Sequence, residues 1–310
     1  MLKRELNFED SSPLLYLIAS PIGNLEEFSS RAQKTIEEMD YIASEDTRNT
    51  GKLLSLFSIK KPLISCHEHN EEEASEKIVS LLKEGKKVAY LSDAGYPAIS
   101  DPGARLTRKC LDNGIKVSVI NGPNAAIMAL VASGLNTSHF YFYGFLESKE
   151  SARKKELLTL KDFQDTMIFY EAPHRIQKTL ENMMDIFGED RHVSLARELT
   201  KKHEEFIRGT LREVYDVSDS LLGEMVLVVE GKKREKKETS ESELLLALKE
   251  SLKEKSSKEA IKEVAKRFQV QKNIVYDLYL ENFKKEPSSA RISSFLRPRC
   301  KRPLFRLRQR

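Results

Sequence analysis

The sequence predicts an α/β protein built in two successive parts and followed by a small helical module. Short β-rich runs alternate with amphipathic helical stretches from Leu14 to about Gly144, and the alternation resumes from about Arg153 to Gly231. Beyond a charged stretch, two short helical periods stand about four residues apart. The expected organisation is a leader over 1–13, an N-terminal α/β domain over 14–147, a second α/β domain over 148–231, a charged linker over 232–243, a helix-turn-helix-like module over 244–284 and a basic tail over 285–310, expected to be disordered.

In the first part the strand candidates are LLYLIA (14–19), PLISC (62–66), VAYLS (88–92), VSVI (117–120) and FYFYGF (140–145). Asn70 and Glu73 stand at capping-box spacing, Ala74, Ile78, Leu81 and Leu82 form one apolar face, and Gly85 falls where a helix C-terminus favours glycine. In the second part the candidates are TMIFYE (166–171), VSLAR (193–197) and EMVLVVEG (224–231). Pro173 is expected to open a helix with Ile176, Leu180, Met183, Met184 and Phe187 as its buried stripe and Gly188 as its stop. ESKESA (147–152) reads as the boundary between the two parts, and GKKREKKETSESE (231–243) is too charged to pack. After it, Ile261, Val264, Ala265 and Phe268 form one helical period and Ile274, Val275, Leu278 and Asn282 a second. Ser256 and Glu259 have capping-box spacing. This is helix-turn-helix spacing, and a plain three-helix packing module has it too.

With 310 residues, 40% of them hydrophobic, the chain can bury about two cores. Its formal net charge of +4 is a sum of unlike regions. Residues 284–310 hold ten Lys or Arg against the single acid Glu286, so this end carries +9 and residues 1–283 carry −5. Overall basicity is therefore no argument for nucleic-acid binding by the folded part. Cys66, Cys110 and Cys300 are odd in number and lack CxxC spacing, which suggests neither a disulfide framework nor a zinc site and fits a reducing cytosol. MLKRELNFEDSS mixes charges of both signs, and LLYLIA is far shorter than a membrane span; no export signal or membrane segment is read, and a cytoplasmic location is expected.

Three loops follow strand candidates where open α/β sheets place ligands: SPIGNL (20–25), SDAGYPAISDPG (92–103) and NGPNA (121–125). None is a GxGxxG or GxxxxGKS loop, which disfavours a Rossmann dinucleotide site and a P-loop. The second loop can present backbone groups to a ligand at close range, or simply form tight turns with Asp93 and Asp101 as caps. SEDTRNT (44–50) reads by residue type as a helix N-cap with a local ion pair. HEHN (67–70) has no third ligand at metal spacing, and no metal is expected. FYEAPHR (169–175) ends a strand on Glu171 and brings Arg175 to a helix start, where a phosphate can bind or basic side chains are solvated. ARELTKKHEE (196–205) sets Arg197, Glu198 and Lys201 beyond the next strand, where such charges commonly form a solvated edge.

Taken in order, SPIGNL, SEDTRNT, HEHNE, SDAGYPAISDPG, NGPNA, FYEAPHR, ARELTKKHEE, RGTL and VLVVEG closely resemble the ribosomal RNA small subunit methyltransferase I family of the tetrapyrrole methylase superfamily. The resemblance covers about residues 14–231, and the region to about 283 is similar to that family's C-terminal helix-turn-helix module. It implies two α/β domains of the tetrapyrrole methylase type with an S-adenosylmethionine cleft between them, a homodimer, and methylation of the 2′-hydroxyl of a decoding-site cytidine in 16S rRNA of the small ribosomal subunit. Carried over position by position, it implies cofactor contacts at Pro21, Asp93, Tyr96, Ile99, Asn124, Ala125, Tyr170 and Glu171. Ser20, Tyr96, Asn121 and Asn124 depart from the family's usual residues, and at Tyr96 and Asn124 this points to backbone rather than side-chain contact.

Under this reading the sulfonium supplies an activated methyl, and the enzyme must align the 2′-oxygen and remove its proton without a metal. The candidate bases are Glu45, Asp46 and Glu171, with Arg48, Arg175, Arg197 and Lys201 available to hold flanking phosphates. Two other readings are methylation of a corrinoid or porphyrin precursor by the same fold, and a non-enzymatic nucleic-acid-binding regulator built on the final helices. PSSARISSFLRPRCKRPLFRLRQR (287–310) matches nothing in the family pattern and reads as an inessential extension in preference to a basic arm for rRNA.

Overall fold

The computed structural model describes residues 6–8, 12–233 and 240–283. The chain divides near residue 234 into two compact units. The first opens with β1 (Leu14–Ile18), α1 (Ser30–Glu37), β2 (Tyr41–Ser44), α2 (Thr47–Leu56), β3 (Leu63–Ser65), α3 (Glu71–Lys83), β4 (Val88–Leu91), α4 (Ala104–Asp112), β5 (Lys116–Ile120) and α5 (Ala125–Ser133). The five strands form a parallel sheet in the order β3-β2-β4-β1-β5. Alternate side chains leave opposite faces. Leu15, Leu17, Ala43, Val88 and Tyr90 pack with Ile78 and Leu82 of α3 and Leu106 and Cys110 of α4. Ile18, Ile42, Ala89 and Leu91 pack with Ala32 and Ile36 of α1 and Leu54 of α2. The run YIA, not counted among the strand candidates, is the core of β2.

The expected capping box at α3 is absent. Asn70 turns its side chain back on the preceding loop, accepting from the His67 N–H at 2.7 Å and donating to the Ser65 carbonyl at 3.1 Å. The buried Glu71 carboxylate instead accepts from the Gly103, Arg105 and Leu106 N–H groups at 3.0, 3.1 and 3.2 Å. An acid on one helix thus answers the unpaired N–H groups that begin α4.

The second sheet takes β6 (Phe140–Phe145), β7 (Thr166–Glu171), β8 (His192–Arg197), β9 (Glu205–Thr210) and β10 (Met225–Val229) in the order β6-β7-β10-β8-β9. Only β6 and β7 run parallel; β10 is antiparallel to β7 and β8, and β9 to β8. Helices α6 (Glu150–Leu160), α7 (Ile176–Phe187) and α8 (Leu211–Asp216) set Leu157, Leu180, Met183, Leu211 and Val214 against Met167, Phe169, Leu195, Leu227 and Val229. On the opposite face Ala126, Ala129 and Leu130 of α5 pack on Ile168, Ala196, Val226 and Val228.

The changeover between sheets therefore falls in the loop 121–124. FYFYGF pairs within the second sheet, and ESKESA is the connection from β6 into α6. The reason lies in α5, AAIMALVAS, whose small apolar residues suit a close fit over the second sheet. β9 was absent from the strand candidates because it is an edge strand whose Phe206 and Ile207 are only half covered, among charged neighbours. Pro173 lies in a turn before α7, which starts three residues later with Arg175 at its N-cap. The expected stripe of α7 is buried, and Gly188 ends the helix.

The second unit is α9 (Glu241–Ser251), α10 (Ser257–Arg267) and α11 (Lys272–Asn282) around Leu244, Leu248, Ile261, Val264, Val275 and Leu278. Capping boxes at Ser240/Glu243 and Ser256/Glu259 start α9 and α10. Residues 240–243, expected in the linker, thus begin a helix. The basic tail, most of the leader and residues 234–239 lie outside the described residues.

Candidate active site

The three strand-end loops are tied to one another. Ser20 and Gly95 exchange backbone hydrogen bonds of 2.8 and 3.0 Å, and the Ser20 hydroxyl donates to the Ser92 carbonyl at 2.7 Å. The loop after β5 presses on the end of β1 so closely that a Cβ on Gly122 would lie 2.8 Å from the Ala19 Cβ. The Tyr96 hydroxyl donates to Asn121 Oδ1 and accepts from the Gly122 N–H, joining the second loop to the third. Asn124 caps α5 by accepting from the Ile127 N–H at 2.9 Å.

These loops form one wall of a cavity of about 330 Å³, through Ile22, Gly95, Tyr96, Ile99, Asp101, Asn124 and Ala125. The opposite wall comes from the second sheet: Phe145, Tyr170, Glu171, Leu199, Glu224 and Met225. A mostly apolar cavity with a few convergent polar groups, at the carboxyl ends of the parallel strands, is where an open α/β sheet binds a small ligand. Among the expected cofactor contacts, Tyr96, Ile99, Asn124, Ala125, Tyr170 and Glu171 meet here. Pro21 and Asp93 do not; both line a neighbouring recess with Asn49 and Thr50. Asp93 accepts from the Asp46 N–H at 3.3 Å and from Asn49 Nδ2 at 3.0 Å, which ties its loop to the start of α2.

Beside the cavity, Glu45, Asp46, Arg48, His67 and Asp93 line an acidic recess. Asp46 is the N-cap of α2 and holds Arg48 through Oδ1 to Nε at 3.0 Å and Oδ2 to Nη2 at 2.6 Å, the local ion pair that residue type suggested. That pairing pulls its pKa far down. Glu45 moves the other way, raised first by burial and then by the charge of Asp93.

Glu171 is 3% exposed and fully engaged: Oε1 accepts from the Ala172 N–H at 2.8 Å and lies 3.2 Å from Arg175 Nε, and Oε2 accepts from the Thr179 hydroxyl at 2.5 Å. Arg175 donates to the Leu146 and Glu147 carbonyls at 2.7 and 3.2 Å, so its guanidinium fixes the loop after β6. Arg197 pairs with Glu205 at 2.5 Å, and Lys201 bridges Glu198 and Glu224 at 3.0 and 3.1 Å. Of the four cations expected to hold phosphates, only Arg48 is widely exposed, with 84% of its side chain accessible.

Sequence reading passed over Asp101, taken for a turn cap. It lines the cavity, and burial, with Glu45 and Asp93 nearby, pushes its pKa up to about 6. The available signal was a second aspartate in one Gly- and Pro-rich loop. Cys66 and Cys110 are free and buried, and burial raises the Cys66 thiol to about 12, far from reactive. Among the described residues no helix is long and apolar enough to cross a membrane, and no group of His, Cys, Asp and Glu is placed to hold a metal ion.

Fold and cavity together define an α/β protein with a small-ligand cleft at the carboxyl ends of its first sheet. Residues 14–215 match the tetrapyrrole (corrin/porphyrin) methylase family. The chain is 48% identical over 290 residues to ribosomal RNA small subunit methyltransferase I of Bacillus subtilis (strain 168), covering 90% of this chain and 99% of that protein. It is 42% identical to the protein of that name from Haemophilus influenzae, over 89% of this chain and 99% of the relative. Solved structures of similar fold include a uroporphyrin-III-C-methyltransferase from Thermus thermophilus (TM-score 0.52, 20% identity, 70% of this chain and 94% of that one) and cobalt precorrin-4 methyltransferase (TM-score 0.54, 16% identity, 70% and 94%). The chain therefore belongs to the ribosomal RNA small subunit methyltransferase I family of tetrapyrrole methylases, and it is a methyltransferase.

Proposed function

We propose that this enzyme transfers a methyl group from S-adenosylmethionine to the ribose 2′-hydroxyl of a decoding-site cytidine in 16S rRNA, acting as a homodimer on the small ribosomal subunit. The observation that carries the reading is the pairing of two compartments across one loop, 93–101: an apolar cavity for the donor and an open acidic recess for the acceptor. The relatives' name, ribosomal RNA small subunit methyltransferase I, supports rRNA as acceptor, and identity over 90% of this chain supports a shared substrate.

The cavity residues fit the donor. Ile22, Ile99, Leu199 and Met225 offer apolar surface for a purine and an aliphatic stem. Acids in the wall suit a ligand carrying a sulfonium and an ammonium, and the Tyr170 hydroxyl with the amide groups at the start of α5 can accept and donate hydrogen bonds. When bound, the donor supplies a methyl already activated by positive sulfur. The chain's part is to hold donor and acceptor in line, exclude water and take one proton. Arg48, exposed at the recess, is the cation placed to exchange its carboxylate for an RNA phosphate. Arg175, Arg197 and Lys201 act as framework.

Labelled methyl transfer to 30S subunits lacking the modification, followed by alkaline and nuclease mapping, tests the reading. Incorporation at one alkali-resistant cytidine linkage is expected. Absence of label at a cytidine 2′-oxygen overturns it.

A further inference from the structure

We propose that His67 is a contact residue of the acceptor site, hydrogen-bonding the target ribonucleotide through Nε2, and that Asn70 is the residue that positions it; the inference rests on the 2′-O-methylation reading above. The placement begins in the sheet. Parallel register sets Ser44, Ser65 and Leu91 in one row across β3, β2 and β4. Asp46, His67 and Asp93 each come two residues later, where the three chains leave the sheet. All three line the open recess, which measures about 460 Å³. The Cys66 N–H donates to the Ser44 carbonyl at 2.8 Å and the Asp46 N–H to Asp93 Oδ1 at 3.3 Å, so the three loops are fastened side by side.

The turn that carries His67 takes the place of a helix cap. Asn70 stands at the N-cap of α3, where an asparagine ordinarily answers the helix's first N–H groups, yet its side chain makes no such bond. Both ends of that side chain go to the HEHN turn instead. Oδ1 accepts from the His67 N–H at 2.7 Å, and Nδ2 donates to the Ser65 carbonyl at 3.1 Å. The Asn70 N–H in turn donates to the His67 carbonyl at 3.0 Å. One asparagine thus holds the backbone of one histidine on both sides, a use that starting α3 does not require.

The imidazole held this way has unmet hydrogen-bonding capacity. Its Nδ1 is buried and has no partner among the described residues, so Nε2 is the nitrogen left to meet a ligand from the recess. The rest of the lining lacks what an imidazole offers. Glu45, Asp46 and Asp93, when ionised, only accept hydrogen bonds. Arg48, the other nitrogen-bearing side chain of the recess, is tied to Asp46 at 2.6 Å. A ribonucleotide presents both donors and acceptors on its hydroxyls and base edge, and an imidazole nitrogen can serve either.

In this role His67 takes no part in bond making. It holds the target nucleotide in the recess and so acts on affinity for the acceptor, while Asn70 touches no substrate and acts through His67.

The test uses the full chain, with 30S subunits lacking the modification as acceptor, well below the melting temperature of each variant. His67→Ala is expected to raise KM for 30S subunits about 3–10-fold, the loss of one hydrogen bond, with kcat and the calorimetric affinity for S-adenosylmethionine both within about twofold of wild type. His67→Gln, whose amide reaches the Nε2 position, should recover much of that loss. His67→Asn, whose amide reaches only the covered Nδ1 position, should not. Asn70→Ala should raise KM in the same direction, and adding it to His67→Ala should change KM no further, because both remove one contact. Unchanged KM in His67→Ala, a defect confined to kcat, a defect matched by lost donor affinity, or equal recovery by His67→Asn and His67→Gln overturns the assignment and leaves the 2′-O reading intact. If the wild type methylates 30S subunits elsewhere than at a cytidine 2′-oxygen, the 2′-O reading fails by itself, and the same KM series still decides whether His67 meets the acceptor.

Discussion

The two walls of the cavity hold their charges in opposite ways. On the second-sheet side Glu171, Arg175, Arg197, Lys201, Glu198 and Glu224 are all engaged with one another or with loop carbonyls. On the first-sheet side Asp101 in the wall and Glu45 in the adjoining recess are both raised in pKa, by burial first and then by neighbouring acids. A paired charge holds a loop in place, whereas an acid among acids keeps a proton that can move. Sequence motifs do not distinguish these cases, since each motif supplies a carboxylate at a strand end.

The sharpest way to break the comparison is Glu171→Gln. If Glu171 serves the framework, the variant loses stability and keeps its chemistry. Removing one member of a buried, hydrogen-bonded ion pair costs about 3 kcal/mol, a fall in Tm of roughly 6–12 °C for a unit of this size. The kcat measured below the new melting point should stay within about threefold of wild type. A collapse of kcat with unchanged melting would put Glu171 among the reacting groups.

Next in size is Gly122→Val, which tests whether the first-sheet wall depends on the close approach of the third loop to β1. The new side chain meets Ala19 and must push the loop outward. Overpacking of this kind costs about 1–3 kcal/mol, and the shift is expected to weaken S-adenosylmethionine binding about tenfold or more, read by calorimetry. Unchanged affinity would show that the loop's position does not shape the cavity.

Asp101 also gives a stability signature. Its pKa rises from the ordinary 3.8 to about 6 in the folded chain, so the folded state holds this proton more tightly than the unfolded state. Below about pH 4 both states hold the proton and nothing is lost. Between about pH 4 and 6 the unfolded chain releases it first, stability falls as pH rises, and the full penalty is present above about pH 6.5. Asp101→Asn removes the penalty: the variant should melt higher than wild type at pH 8, by about 1 kcal/mol once the partial exposure is discounted, with the two curves converging near pH 4. A variant less stable at pH 8 would show that the carboxylate has a stabilising partner.

Much of this architecture was legible in residue pattern. Continuous apolar runs, such as VAYL and MVLVV, form strands buried on both faces and sit where those runs place them. β9 escaped notice because an edge strand need not be apolar, and β6 was grouped with the wrong sheet because chain order says nothing about which sheet a strand joins. In the site, the motifs led to the loops that line the cavity. They did not show that Arg175 would turn to the Leu146 carbonyl or that Asp101 would lack a partner, because both depend on contacts between segments far apart in the chain.

The smallest expected effect separates the two kinds of acid on the recess side itself. Asp46 caps α2 and pairs with Arg48, and asparagine retains the cap because its side-chain oxygen can still accept from the Arg48 N–H. Asp46→Asn therefore removes the ion pair and leaves the helix start intact. Since the pair is exposed, melting should not change measurably. With the carboxylate gone, Arg48 is free for a phosphate, so KM for 30S subunits is expected to fall or hold while kcat stays within about twofold of wild type. A large loss of kcat would place Asp46, in its paired state, among the groups that position the acceptor ribose, and the reading of paired acids as framework would then fail at the recess.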